Sequence, residues 1–123
     1  MKSVLIVDDQ PEIRRLLSVT LGKDRNILEA DSAATALEVM QKHRPEVVLL
    51  DVMMPGSQNG LDVLEAIKKN PVTRSTSVAI ISARGQAIDS DEARRRGADA
   101  YFIKPFSPLQ VVQWVRSRLA DRT

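Results

Sequence analysis

The chain has 123 residues, 43% of them hydrophobic and 28% charged, enough for one compact domain and too apolar for intrinsic disorder. With no cysteine and one histidine, disulfide frameworks, thiolate zinc sites, cysteine nucleophiles and multi-histidine metal centres are excluded, and a Ser-His-Asp triad is disfavoured. The net charge of +2 is spread along the chain and aromatics make up only 3%, so there is no stacking platform for bases and direct nucleic-acid binding is not expected.

The first apolar run, residues 2–7 (KSVLIV), predicts a strand. A helix follows, opening with Pro11 and closing at Gly22, with Ile13, Leu16, Leu17, Thr20 and Leu21 along one face. A weaker strand, residues 26–29 (NILE), precedes a helix capped by Ser32 that carries Ala33, Ala36, Leu37 and Met40. His43, near its end, suits the helix dipole as a surface residue. The third strand is 46–50 (EVVLL), and Gly60, Val63, Leu64 and Ile67 mark the third helix. The fourth strand is 77–81 (SVAII). After it comes a helix over 86–96, whose thin apolar stripe makes it the element most ready to move. The fifth strand, 100–103 (AYFI), leads to a last helix from Ser107 that carries Val111, Val112, Val115 and Leu119 as its apolar stripe, with Trp114 beside it. No apolar run approaches the ~18 residues of a membrane span, and no secretory stretch follows Met1 and Lys2. The expectation is a soluble, cytoplasmic protein with no membrane partner.

Strict alternation of strand and helix with short connections predicts a parallel sheet covered on both faces, with its site at the carboxyl ends of the strands. Asp8 and Asp9 end the first strand, Asp51 the third, Ser82 and Ala83 the fourth, and Lys104 and Pro105 the fifth. Converging carboxylates repel unless a cation neutralises them, and hard oxygen donors in small number suit Mg²⁺. A carboxylate beside Mg²⁺ can attack phosphorus and become an aspartyl phosphate. Lys104, the Ser82 hydroxyl and the Ala83 N–H suit the phosphoryl oxygens.

These residues carry a resemblance over nearly the whole chain. VLIVDD (4–9), VVLLDVMMPG (47–56), IISA (80–83) and FIKPF (102–106), in this order and spacing, resemble the receiver domain of bacterial two-component response regulators, in its single-domain chemotaxis-regulator form. The resemblance implies a flavodoxin-like, doubly wound (βα)5 sheet of order 2-1-3-4-5, with one receiver domain over residues 1–123. It also implies that Asp51 accepts the phosphoryl group, and that Asp8, Asp9, Asp51 and the Met53 backbone carbonyl hold Mg²⁺. Lys104 then contacts the phosphoryl oxygens beside a cis Lys104–Pro105 bond, and Ser82 and Tyr101 form the switch pair. Met53 and Arg84 occupy positions that influence dephosphorylation in the family. The implied partners are a histidine kinase or histidine phosphotransfer protein, and a target or effector domain on the face made by the fourth helix, fifth strand and fifth helix. The implied protein is a signalling switch, reset by hydrolysis, rather than a turnover enzyme. It is a monomer or a phosphorylation-dependent dimer, and either stands alone or comes from a larger regulator or hybrid kinase. The chain departs from the family in one place: Gly60 falls nine positions after Asp51 rather than eight, through a loop over 56–59.

Plainer readings accompany these. Asp8–Asp9 can cap the first helix, Asp51 can end a turn, and Lys104–Pro105 can simply close a strand. Ser82 can cap the fourth helix, Tyr101 can be a fixed half-buried ring, and Arg94–Arg95–Arg96 can be a solvated helix end or a partner-facing patch. Two rival functions are a binding module that works without phosphorylation and a haloacid-dehalogenase-type phosphatase. The second needs an acid two positions after the nucleophile, where this chain has Met53.

Overall fold

The computed structural model describes residues 2–23, 25–52, 59–83 and 90–120. Strands and helices alternate throughout: β1 (Ser3–Val7), α1 (Pro11–Leu21), β2 (Asn26–Ala30), α2 (Ala33–His43), β3 (Val47–Asp51), α3 (Gly60–Lys69), β4 (Ser77–Ala83), α4 (Ser90–Arg95), β5 (Ala100–Lys104) and α5 (Pro108–Ala120). The strands form one sheet in the order β2-β1-β3-β4-β5, and every pairing is parallel. The order reverses at β1, which pairs with β2 on one side and β3 on the other. In such a sheet the carboxyl ends of the strands at that reversal form a crevice. The strand order and fold class expected from the sequence are those observed.

The sheet divides the interior in two because successive strand side chains point to opposite faces. Leu5, Val7, Val48, Leu50, Val78 and Ile80 pack with residues of α2, α3 and α4, including Ala36, Met40, Val63, Leu64, Ile67 and Ala93. Val4, Ile6, Val47, Leu49, Ala79 and Ile81 pack with Leu17 and Leu21 of α1 and Val111, Val112, Val115 and Leu119 of α5. Each fully buried aliphatic chain contributes roughly 1.5–3 kcal/mol. The central strands need unbroken apolar runs because both their faces are covered.

Local chemistry sets the helix ends. The Ser32 hydroxyl accepts from the Thr35 N–H at 3.2 Å and caps α2. Asn59 and Asp62 form a reciprocal capping box that opens α3. Pro11 begins α1 after Gln10, which is the N-cap, so neither Asp8 nor Asp9 caps that helix. Leu16 is 43% exposed instead of facing the core with Leu17 and Leu21, because it sits with Ile13 beside Lys104, Pro105 and Phe106 at the protein's edge. The described part of the fourth helix is Ser90–Arg95 and buries Ala93; the expected turn over 86–89 lies outside the described residues. His43 is exposed at the end of α2, and Trp114 packs edge-on against Phe102 with ring centroids 6.3 Å apart.

Candidate functional site

Asp8 follows β1 directly, Asp51 is the last residue of β3, and Lys104 is the last of β5, so the fold brings all three to one edge of the sheet. One carboxylate oxygen each from Asp8, Asp9 and Asp51 lie within 4.8 Å of one another. Asp8 and Asp51 are buried, Asp51 to 4% exposure, while Asp9 is exposed. The Lys104 ammonium donates to Asp8 Oδ2 at 3.2 Å and stands 3.5 Å from Asp51 Oδ1. It also reaches Gln10 Oε1 at 3.4 Å. The Lys104–Pro105 peptide is cis.

Three carboxylates thus face one ammonium. Burial chiefly, then the charge of Asp8, raises the Asp51 pKa from 3.8 to about 6; Lys104 opposes the rise and Asp9 adds to it. Crowded carboxylates of this kind could take up a metal ion, whose charge would lower the repulsion. Asp8, Asp9 and Asp51 could hold it. The Met53 carbonyl, expected as a further ligand, lies outside the described residues, as do Arg84 and the loop over 56–58.

β4 supplies the neutral groups. Asp51 pairs in register with Ile81, and the Val52 N–H donates to the Ile81 carbonyl at 3.1 Å, which puts Ser82 one step beyond the acceptor strand's end. Ser82 is fully buried, and its hydroxyl donates to the Ala83 carbonyl at 3.3 Å. Ala83 pairs with Lys104 across the next strand. Tyr101 pairs with Ile80 and packs, partly buried, on the α2–α4 side of the sheet. Strand alternation places Ser82 on that same face.

Three features of the edge go beyond what the motifs imply. The Gln10 N–H donates to Asp8 Oδ1 at 2.9 Å, so both carboxylate oxygens of Asp8 are engaged. Arg14 donates to the Asp8 backbone carbonyl at 2.7 Å and to Glu29 Oε1 at 3.0 Å. Gly60 opens α3 directly against the acceptor strand: its N–H donates to the Val52 carbonyl at 2.8 Å, and a Cβ there would lie 2.2 Å from the Asp51 carbonyl oxygen. The altered spacing after Asp51 therefore still delivers a glycine where only a glycine fits. The only hint of the Arg14 contact in the sequence is a basic residue one turn into the helix after Asp8–Asp9.

Residues 4–116 match the family described as the response regulator receiver domain. The phosphate regulon transcriptional regulatory protein PhoB of Pseudomonas aeruginosa is 32% identical over 119 residues, which cover 96% of this chain and 52% of PhoB. The chain spans about half the length of the curated relatives it matches. Among solved structures, the chemotaxis response regulator CheY4 of Vibrio cholerae aligns over 96% of this chain and 98% of its own, with TM-score 0.84 and 27% identity. The receiver domain of NtrX from Brucella abortus aligns over 95% and 98%, with TM-score 0.85 and 30% identity. With its strand order, its acidic strand-end cluster and a match that runs nearly from end to end, the chain belongs to the response regulator receiver domain family of two-component signalling, whose general role is to accept a phosphoryl group.

Proposed function

We propose that residues 1–123 form a receiver that takes a phosphoryl group onto Asp51 from a histidine kinase or a histidine phosphotransfer protein, in a Mg²⁺-dependent step. The observation that carries this reading is the meeting of the Asp8, Asp9 and Asp51 carboxylates within 4.8 Å, with Lys104 3.5 Å from Asp51. Asp51 Oδ attacks phosphorus; a P–O bond forms as the donor's P–N bond breaks, and the imidazole leaves with that electron pair. Asp8, Asp9 and Asp51, with the Met53 carbonyl, would hold Mg²⁺, which when bound would supply neutralisation of the phosphoryl oxygens. Lys104 shifts from Asp8 and Asp51 to a phosphoryl oxygen, and the Ser82 hydroxyl and Ala83 N–H donate to others. The protein's work in such a transfer is positioning and charge balance.

The phosphorylated Asp51 carries new charge beside buried Ser82, which favours a state in which Ser82 and Tyr101 move inward. The face of α4, β5 and α5 then presents a changed surface to a target or effector domain. Water attack on phosphorus releases phosphate and restores the carboxylate, so the protein acts as a resettable cytoplasmic switch and turns over no separate substrate. It is a monomer or dimerises on phosphorylation.

The test is intact-mass spectrometry after incubation with acetyl phosphate, with and without Mg²⁺. The native chain is expected to gain one phosphoryl adduct only with Mg²⁺, and Asp51→Asn none. An adduct that persists in Asp51→Asn overturns the assignment of the acceptor. No adduct and no beryllofluoride binding in the native chain favours a module that signals without phosphorylation.

A further inference from the structure

The Asp8–Asp9 turn is held at more points than its role as a connection requires. The Asp8 N–H donates to the Ala30 carbonyl at the end of β2, at 3.1 Å, and its carboxylate is engaged by the Gln10 N–H and Lys104. The remaining backbone group, the Asp8 carbonyl, accepts the 2.7 Å bond from Arg14 Nη1. Arg14 Nε bonds Glu29, which pairs in register with Ile6 on the neighbouring strand. Among the described residues, nothing donates to the Asp9 carboxylate, although it is the exposed member of the three. Its direction depends on the plane of the Asp8–Asp9 peptide, and the oxygen of that peptide is the atom Arg14 holds.

We propose that Arg14 is a positioning residue for the metal site: braced by Glu29, it fixes the Asp8–Asp9 peptide and so aims Asp9 at the cation shared with Asp8 and Asp51. This rests on the phosphoryl-acceptor reading of the site. An exposed Arg–Glu pair would contribute little. Here the Arg14 side chain is only 18% exposed, and its shorter bond goes to the backbone of the metal turn. A planar guanidinium can satisfy two acceptors on different strands from one rigid fork, which a lysine ammonium on a flexible stem does poorly.

The experiment combines calorimetric titration with Mg²⁺ and the Mg²⁺ dependence of phosphorylation by acetyl phosphate, on the full chain and its variants. Arg14→Ala is expected to weaken Mg²⁺ binding about tenfold, in line with groups that orient metal ligands, while the phosphorylation rate at saturating Mg²⁺ stays near native. Arg14→Lys should restore little. Glu29→Gln, which keeps an acceptor for Nε, should lose less affinity than Glu29→Ala, and Arg14→Ala/Glu29→Ala should be no worse than Arg14→Ala. Native affinity in Arg14→Ala, or a rate loss that saturating Mg²⁺ does not recover, overturns the assignment. If Arg14→Ala does not fold, unchanged affinity in Glu29→Ala overturns it equally. A native chain that binds no Mg²⁺ overturns the reading of the site, and this inference with it. Where the native chain binds Mg²⁺ and Arg14→Ala binds it as well, the role of Arg14 alone falls and the reading of the site stands.

Discussion

The two ends of this sheet handle charge in opposite ways. At the amino ends of β4 and β5, Asp99 accepts from the Val78 N–H at 2.8 Å and from Lys68 at 3.0 Å, with Arg118 at 3.7 Å. Lys68 also donates to the Thr76 carbonyl at 2.7 Å, and Arg118 to Ser77 Oγ at 2.9 Å. Gly97 leaves room for this knot: its φ is +104°, and a Cβ there would lie 2.9 Å from Lys68 Cγ. One carboxylate is answered by two cations and a backbone N–H. At the carboxyl ends, among the described residues, three carboxylates meet one ammonium, and burial chiefly, then the charge of Asp8, raises the Asp51 pKa. One end is built to stay as it is; the other, among the described residues, has fewer cations than carboxylates and can be driven by whatever supplies positive charge.

The contrast predicts that substitutions at the two ends separate activity from stability. Lys104→Met should slow phosphorylation by acetyl phosphate about 10²-fold, roughly 3 kcal/mol in the barrier, with little loss of urea resistance. Rates within about threefold of native would break the comparison. Asp99→Ala should do the reverse: it strands the Val78 N–H, takes the carboxylate away from Lys68 and Arg118, and costs about 2 kcal/mol in urea unfolding, while the adduct still forms.

Asp51→Asn tests the strained end through pH. In the metal-free native protein Asp51 binds its proton more tightly folded, at about 6, than at the ordinary 3.8. The folded state therefore holds more protons between about pH 4 and 6, and native stability falls as pH rises through that window. Asp51→Asn lacks this loss, so it should be about 3 kcal/mol more stable than native above about pH 6, the gap closing below about pH 4. A gap that is constant with pH would mean that packing, not charge, accounts for it. The smallest effect belongs to Arg96→Ala, which breaks exposed pairs to Glu65 and Glu92 at 2.7 and 3.0 Å. Thermal melts should show about 0.5 kcal/mol or less.

The sequence disclosed most of this because the fold is built from local signals. Apolar runs without alternation suit strands covered on both faces, and each ends in a residue type that says what gathers there. Leu16 misled because a helical stripe is wider than the strip of core it meets; the site's own rim, at Pro105 and Phe106, takes up the excess. Arg14, Glu29 and the Lys68–Asp99–Arg118 knot were illegible for a different reason. Their partners meet through strand register and helix packing, which no local pattern encodes. The spacing of Gly60 was visible as an irregularity, but its cause, contact with the Asp51 carbonyl, needed three-dimensional placement.

Lys104 and Asp8, which touch at 3.2 Å, stand 96 residues apart. The acidic residues are thus made early in synthesis and their ammonium last, on the strand that closes the sheet. A growing chain lacks the finished pocket until β5 has docked, so the carboxylates wait for their counter-charge until the last strand is in place. The charge of the pocket is balanced only when the last strand joins the sheet.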